Sequence, residues 1–312
     1  MALDPAVAAM LAAMPAPAEA PEGAPPPTPA EMRAGFAAML SLPDDLPEVR
    51  SVTDLSVPGP AGDLRIRLYL PEADGPVPVF IWMHGGGWTI GSIEENEVAN
   101  RRVAREANVA VVSVEYRLAP ENPFPAAPDD CYAVLEWVAA HGAEHGIDGS
   151  RVGIGGESAG GNLATVVSLM SRDRGGPKVS AQVLVVPVTA HSDDEGLVSY
   201  VDNAEGYGMT ADSMRFFFAQ YPAKPADLEN PYLLPSRAED LSGLPPAFVM
   251  TAEYDVLRTE GEQYAERLKE AGVPTVYKEY KGQIHGFYGL YTDLPISPVS
   301  HADVAEFLRA TL

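Results

Sequence analysis

A serine between glycines, in Gly156-Glu157-Ser158-Ala159-Gly160, is the residue of this chain best placed to act as a nucleophile. The pentapeptide fits the pattern G-x-S-x-G and lies between a strand-like run, Arg151–Gly155, and an apolar helical stretch. A sharp turn there strains the serine backbone, and glycines at its flanks avoid clashes between turn, strand and helix. A bare G-x-S-x-G also occurs in ordinary loops, so the flanking strand and helix carry the prediction that Ser158 attacks substrate.

Three consecutive glycines form the second chemical feature, His84-Gly85-Gly86-Gly87-Trp88, which follows the strand-like run Val77–Met83. Glycines let backbone N–H groups come close to a substrate carbonyl oxygen. We therefore predict an oxyanion hole formed by the N–H groups of Gly85, Gly86 and Ala159. A glycine-rich phosphate loop is the alternative, but the chain lacks Gly-Lys-Ser/Thr, and no G-x-G-x-x-G follows its first strand.

A general base and an acid must follow Ser158 if the chain order is nucleophile, acid, histidine. Three histidines do so: His191, His285 and His301. His285 lies in a loop after a predicted strand, at the sheet edge where active-site groups collect, whereas we expect His191 and His301 at the surface. Asp255 follows another strand at the same edge. In this triad His285 takes the proton of Ser158, Asp255 fixes the imidazole tautomer, and water releases the acyl-enzyme.

Apolar runs alternate with helical patterns from about residue 63 onward, which predicts an α/β fold with a mostly parallel central sheet flanked by helices. The predicted strands are Leu64–Leu70, Val77–His84, Val109–Tyr116, Arg151–Gly155, Ala181–Val188, Ala247–Thr251 and Thr275–Tyr280. The predicted helices are Glu94–Glu106, Pro128–His141, Ala159–Ser171, Thr259–Ala271 and His301–Thr311.

Two segments interrupt this alternation. Residues 1–50 contain two helical patches separated by a proline-rich stretch, Pro15 to Pro29, and residues from about 191 to 241 are rich in aromatic residues without strand periodicity. We therefore divide the chain into an N-terminal helical segment, 1–50, and a catalytic domain, 51–312, with an insertion at about 191–241 over the sheet.

These motifs together resemble the hormone-sensitive lipase-like esterases, also called the bacterial family IV lipolytic enzymes. The similarity covers about 230 residues and includes Tyr116-Arg117-Leu118-Ala119-Pro120-Glu121, Ala252-Glu253-Tyr254-Asp255 and Ile284-His285-Gly286-Phe287. Glu157 stands where the commonest subgroup has Asp, and Val256 where Pro is usual. The resemblance implies an α/β-hydrolase fold, cleavage of short- and medium-chain acyl esters without a cofactor, and a helical cap formed by the two interrupting segments.

A cap over the site would supply the substrate pocket. Its candidate lining is Trp88, Tyr207, Met209, Met214, Phe217 and Phe218, with Leu11 and Met14 from the first helix. The same side chains could equally be ordinary contacts between cap and core, because aromatic and Met residues often only fill space. An enclosed pocket of this kind predicts a preference for acyl chains of roughly two to eight carbons.

The composition limits the partners of the chain. Lys and Arg number 21 against 44 Asp and Glu, and the resulting charge of −23 opposes binding to nucleic acid or anionic lipid. No apolar run approaches the roughly 18 residues of a membrane span. A secretory signal begins with basic residues, and the first basic residue here is Arg33. Cys131 is the single cysteine. We therefore predict a cytoplasmic enzyme whose partner is a small-molecule ester.

Other activities remain open on the residues alone. Amidases, lactonases and carbamate hydrolases use the same constellation, and a ligand receptor on the same fold is a further alternative, although such receptors have lost the histidine that is present here as His285. A metal site is disfavoured because His141 and His145 flank glycines at a predicted helix end. An exposed edge strand would allow a homodimer.

Overall fold

The apolar runs form one mixed sheet in the computed structural model, which describes residues 2–14, 27–39 and 42–312. Within these residues the sheet has eight strands in the order β1-β2-β4-β3-β5-β6-β7-β8. Strand β2 is antiparallel to β1 and β4, and the other neighbours are parallel. The bounds are β1 Ser51–Gly59, β2 Gly62–Leu70, β3 Val77–Met83, β4 Ala110–Val114, β5 Ile147–Glu157, β6 Val179–Val185, β7 Ala247–Tyr254 and β8 Thr275–Ile284.

Helices cover both faces of the sheet. They are α1 Pro5–Ala13, α2 Pro29–Met39, α3 Glu97–Ala107, α4 Ala126–His141, α5 Ala159–Arg174, α6 Ser199–Asp202, α7 Ala211–Gln220, α8 Arg258–Glu270 and α9 Ile296–Thr311. Apolar side chains of α4, α5 and α8 share one buried cluster with one face of the sheet, and those of α3 and α9 share a second cluster with the other face. This arrangement confirms the predicted fold class, since parallel strands need helices on both faces.

Two predictions about individual elements were wrong. Strand β1 was missed because only Val57 of its nine residues is buried, so this edge strand shows no clear apolar alternation. His301 is fully buried, because α9 begins at Ile296, before the predicted start, and turns His301 inward. Its Nε2 lies 2.8 Å from the carbonyl oxygen of Tyr288, which it meets as a donor.

The N-terminal helices lie at the edge of the sheet where the parallel strands have their carboxyl ends. The backbone N–H of Asp4 donates to the Gly282 carbonyl at 3.0 Å, and Val7 of α1 packs against Ile284. Arg33 of α2 makes longer-range contacts, described below. Most of the proline-rich stretch, Pro15 to Pro29, lies outside the described residues. The division of the chain into cap and catalytic domain stays a prediction.

The insertion at 191–241 contains α6, α7 and short 3-10 helices, and no strand runs through it. Its helix α7 sends Met214, Phe217 and Phe218 into the larger buried cluster. Among the segments described, no helix is both long and apolar enough to cross a membrane.

Candidate active site

Ser158 is the single residue between β5 and α5, so the turn that joins them is very short. Ser158 has φ 59° and ψ −119°, a strained conformation for a residue with a side chain, and its N–H donates to the Val185 carbonyl at 2.8 Å. The turn is tight: a Cβ atom on Gly160 would lie 2.0 Å from the Met83 carbonyl oxygen. Glycine is therefore required at this flank, and the strained serine is held where β5 ends.

Asp255 and His285 meet beside this turn, each from the carboxyl end of a parallel strand. Oδ2 of Asp255 lies 2.7 Å from Nδ1 of His285, and Oδ1 accepts the backbone N–H of Leu257 at 2.9 Å. Asn203 donates to the Asp255 carbonyl oxygen at 3.0 Å, so the insertion braces the loop that holds the acid. Asp255 is buried and the His285 side chain is 11% exposed, which leaves Nε2 as the ring nitrogen free to meet substrate.

Burial and charge act in opposite directions on His285. Burial, the largest single effect, lowers the pKa of the imidazole, whereas the charge and hydrogen bond of Asp255, together with the charge of Glu157, raise it. The net pKa of His285 lies above its ordinary value of 6.5. The imidazole is thus a stronger base than a free histidine once it has lost its proton.

The glycine loop lies against the serine. A Cβ on Gly85 would lie 3.6 Å from Ser158 Cβ, and no described residue accepts a hydrogen bond from the N–H of Gly85 or Gly86. Ala159 begins α5, so its N–H has no partner four residues earlier in a helix. Gly86 has φ 103°, and an added Cβ would meet the Ile90 carbonyl oxygen at 2.2 Å. Two N–H donors on the glycine loop and one at the start of α5 thus lie near Ser158, and the loop requires glycine at position 86.

His84 supports the glycine loop through a hydrogen bond from its buried ring. Burial lowers the pKa of His84 to about 4, and its neutral ring donates from Nδ1 to the Gly85 carbonyl at 2.7 Å. Tyr116 stacks on the ring at 4.2 Å and donates its hydroxyl to the His84 carbonyl. The second motif therefore contributes a buried support as well as the backbone donors.

Ser158 and His285 line one cavity of about 110 Å³, and Gly85 and Gly86 form part of its wall. A second cavity of about 330 Å³ lies between α2 and α7 and is also lined by His285. A third, of about 410 Å³, lies between α1 and the loop after His285. Leu290 lines all three, so the cavity at Ser158 shares a wall with each of the two larger spaces. A larger groove, about 550 Å³, contacts none of the predicted site residues.

The predicted substrate-binding set is brought only partly to these cavities. Met209 and Phe217 line the spaces at His285. Four other side chains of the predicted set line none of the three cavities: Trp88, Tyr207, Met214 and Phe218. Leu11 and Met14 are likewise outside the lining.

Packing of these side chains against other aromatic residues explains why they do not face the cavities. Trp88 is fully buried, stacks on Tyr221 at 4.2 Å and donates its indole N–H to Asn162 at 3.3 Å. Tyr207 lies against Tyr254, at 4.9 Å between ring centroids. These aromatic side chains fix the insertion to the core, the space-filling role that the sequence left open.

Sequence reasoning missed several residues of the inner cavity. They are Phe36, Ile90, Glu95, Asn96, Glu157, Gly286, Gly289 and Leu290. Most follow directly from known positions, since Glu157 precedes the nucleophile and the last three follow His285. Glu95 and Asn96 had no such signal because they were assigned to a helix that begins only at Glu97. No cluster of three potential metal-ligating side chains was found in the described segments.

Comparisons with known proteins agree with this architecture. A family model described as alpha/beta hydrolase fold matches residues 80–289. Esterase LipI of Mycobacterium tuberculosis is 40% identical over 248 residues, which cover 78% of this chain and 76% of that protein. An arylesterase of Saccharolobus solfataricus is 40% identical over 228 residues, 73% of this chain and 74% of that protein.

Solved structures extend the similarity to nearly the whole chain. A thermostable esterase from Pseudomonas putida ECU1011 has a TM-score of 0.90 and 33% identity, with 100% of this chain and 98% of that chain covered. An α/β-hydrolase from the metagenome of Lake Arreo, Spain, has a TM-score of 0.90 and 38% identity, with 99% and 98% covered. This chain therefore belongs to the α/β-hydrolase family, in its hormone-sensitive lipase-like branch of carboxylic ester hydrolases.

Proposed function

We propose that this protein is a serine carboxylesterase that hydrolyses short- to medium-chain acyl esters, with Ser158, His285 and Asp255 as its triad. The observation that carries the proposal is the 2.7 Å contact between Asp255 and His285 beside a strained serine that shares a cavity with His285. Together with the free N–H groups of Gly85 and Gly86, this arrangement supplies nucleophile, base and oxyanion donors in one place.

The reaction follows from the positions of these atoms. Nε2 of His285 accepts the Ser158 proton as Oγ attacks the ester carbonyl, and Asp255 stabilises the imidazolium through Nδ1. The N–H groups of the glycine loop and Ala159 bind the oxyanion. The imidazolium then protonates the leaving alcohol, and an acyl-enzyme remains. Water, activated by the same imidazole, releases the acid.

The chain-length preference is supported by the cavity walls. Phe36, Ile90, Phe217 and Leu290 enclose the inner space, so an acyl chain gains about 0.8 kcal/mol per buried methylene only until it reaches them. Longer chains must leave carbon in water or displace α2 or α7. We expect kcat/KM to rise and then fall along an ester series.

The test is a series of p-nitrophenyl esters from acetate to palmitate. We expect a maximum within roughly two to eight carbons, and turnover lowered by about 10⁴-fold in a folded Ser158→Ala variant. The matched control is Ser150→Ala, a change at an exposed serine outside the site that should leave the series unchanged. Efficient palmitate hydrolysis would contradict the enclosed pocket, and a Ser158→Ala variant with more than a tenth of wild-type activity would contradict the nucleophile.

Two broader expectations stay proposals. A homodimer is supported by β8, which ends the sheet and exposes Val276 by 53%. A cytoplasmic location is supported by Cys131, a single buried cysteine that cannot form an intramolecular disulfide. Light scattering and cell fractionation test them, and a monomer or a secreted protein would refute the respective proposal.

A further inference from the structure

The inner cavity has one polar wall in an otherwise apolar lining. Glu95, Asn96 and Glu157 line it together, next to Ser158 and His285. The apolar part consists of Phe36, Ile90, Met209, Phe217 and Leu290. Among the described residues that line this cavity, none is a lysine or arginine that could balance the two carboxyl groups. The proposed ester hydrolysis uses none of the three polar side chains.

Two oxygen atoms of this wall lack hydrogen-bond donors. Glu157 is 6% exposed and Asn96 is 3% exposed, yet Oε1 of Glu157 and Oδ1 of Asn96 accept no hydrogen bond from any described residue. A buried acceptor left unpaired costs about 1–3 kcal/mol, which is why such atoms are rare. Acceptors that border a cavity can be satisfied by a group that enters the cavity.

Glycine at position 289 leaves the space that the side chains of Asn96 and Glu157 occupy. A Cβ on Gly289 would lie 2.1 Å from Nδ2 of Asn96 and 2.5 Å from Oε2 of Glu157. Both side chains therefore press against the turn that carries His285, four residues before Gly289. The polar wall is thus built into the catalytic turn and is not a set of surface carboxylates.

Burial holds the two carboxyl groups of the wall toward their neutral forms. Burial, with smaller contributions from neighbouring carboxylates that include Glu157, raises the pKa of Glu95 to about 8. Burial raises the pKa of Glu157 to about 7, against the opposing charge of His285. His285 is the cation nearest to Glu157, and no described lysine or arginine lines the cavity. A hydroxyl or ammonium group would supply the donors that Oε1 of Glu157 and Oδ1 of Asn96 lack.

We propose that Glu95, Asn96 and Glu157 form a subsite for a hydrogen-bond-donating substituent, hydroxyl or ammonium, carried by the ester near its scissile bond. The inference rests on the proposed esterase function and specifies its substrate class. An apolar group of the same size would leave the acceptors unpaired, so the site discriminates by hydrogen bonding more than by shape.

The test compares esters that differ in one group of similar size. Methyl 3-methylbutanoate, 3-hydroxybutanoate and 3-aminobutanoate place a methyl, hydroxyl or ammonium group on the acyl side, and propyl and 2-hydroxyethyl acetate make the comparison on the alcohol side. Each kcat/KM is normalised to the ester's alkaline hydrolysis rate. We expect at least one donor-bearing ester to exceed its methyl counterpart by about tenfold, the scale of one net hydrogen bond.

Glu95→Leu is the diagnostic variant, since Glu95 is only partly buried and has no role in the proposed hydrolysis. It should reduce the preference to about twofold or less, whereas Glu95→Gln should retain part of it. The matched control is Met209→Leu on the apolar wall of the same cavity, which should change all esters alike and keep the ratio. Preference for hydroxyl, for ammonium or for both identifies which donor the wall binds.

Binding separates this inference from the proposed function. In Ser158→Ala, calorimetry with the uncleaved esters reports the polar wall without turnover, so a donor preference there supports the subsite even if hydrolysis proves slow. Equal binding and equal normalised rates for donor-bearing and methyl esters in the wild type would overturn the subsite. So would a preference that persists in Glu95→Leu and in Asn96→Leu, because the ratio would then arise elsewhere.

Discussion

The contact between Asp255 and Leu257 determines what an Asn at position 255 would do. Oδ1 accepts the Leu257 N–H at 2.9 Å, and Oδ2 faces His285 Nδ1 at 2.7 Å. Because a backbone N–H can only donate, the amide oxygen of Asp255→Asn must take the Oδ1 position and turn its NH₂ group toward His285. The imidazole must then hold its proton on Nε2, the nitrogen that has to accept the Ser158 proton.

The expected loss is large and lies in kcat. A neutral imidazole fixed in the wrong tautomer lowers kcat on the order of 10⁴-fold in a serine triad. KM should change only a few-fold, because Asp255 does not line the cavity. Asp255→Ala removes the amide that enforces the wrong tautomer, so it should retain more activity than Asp255→Asn, although it leaves the Leu257 N–H unpaired at a cost of about 1–3 kcal/mol in stability.

Steady-state kinetics on p-nitrophenyl butyrate, with thermal unfolding of each variant, decide the question. Asp202→Asn is the matched control, since Asp202 is exposed and belongs to the insertion helix beside the same loop. An Asp255→Asn variant within tenfold of wild-type kcat would refute the role of Asp255. A folded Asp255→Asn variant more active than Asp255→Ala would refute the tautomer argument alone.

Four further predictions concern pH, the N-terminal helix and the glycine loop. The acidic limb of kcat/KM should lie above pH 6.5, because the raised pKa of His285 moves its basic form to higher pH; a limb below 6.5 in a pH–rate profile would contradict this. Arg33→Ala removes hydrogen bonds of 2.6–2.9 Å to Glu121 and should destabilise the protein by about 1 kcal/mol in chemical denaturation and raise KM more than it lowers kcat; an unchanged KM would mean that α2 does not shape the pocket. Gly86→Ala should lower kcat by about 10²–10³-fold, with a pure KM effect pointing to packing instead. The unfolding free energy of the wild type should fall relative to that of Glu157→Gln as pH rises from 4.5 to about 7. Urea unfolding of both proteins at each pH measures this, and a difference that stays constant with pH would contradict the prediction.

Arg33 explains why the N-terminal segment bears on the site. Its Nε donates to the Thr89 carbonyl at 2.7 Å and its Nη2 to the Ala119 carbonyl at 2.7 Å. Thr89 directly follows the glycine motif, so one guanidinium joins α2 to the loop that holds the proposed oxyanion donors. Helix α2 also brings Met32 and Phe36 to the cavities. The position of the glycine loop and the shape of the pocket therefore both depend on Arg33.

The candidate catalytic residues could be located in the sequence because the backbone geometry around them restricts which residue types are allowed. The turn at Ser158 allows only glycine at position 160, and the loop at Gly86 requires a positive φ, so both motifs are visible as glycine patterns. Parallel strands then place the residues that follow them at one edge, which brings Asp255 and His285 together without any local signal between them.

The pocket was less predictable because burial of a large side chain does not tell which surface it faces. Trp88 and Phe217 both carry apolar rings near the glycine loop, yet Trp88 lies in a stack with Tyr221 while Phe217 lines the cavity. Glu95 and Asn96 were assigned to a helix on composition, although they belong to a short turn before it. Such positions depend on tertiary packing, which periodicity does not encode.

Catalysis and stability depend on pH in opposite directions at this site. In the proposed mechanism His285 must lose its proton to act, so we expect activity to rise with pH through the raised pKa of the imidazole. Glu157 has an ordinary pKa of 4.5 and a folded pKa of about 7, so between these values the folded state binds the extra proton and stability falls as pH rises. At about 1.4 kcal/mol per unit of pKa difference, the loss amounts to about 3 kcal/mol once Glu157 is ionised in the folded state. The charge of Glu157 also raises the pKa of His285, so the carboxyl that weakens the fold at neutral pH strengthens the base beside it. A donor-bearing substrate at the polar wall would stabilise the ionised carboxyl and reduce that cost in the complex.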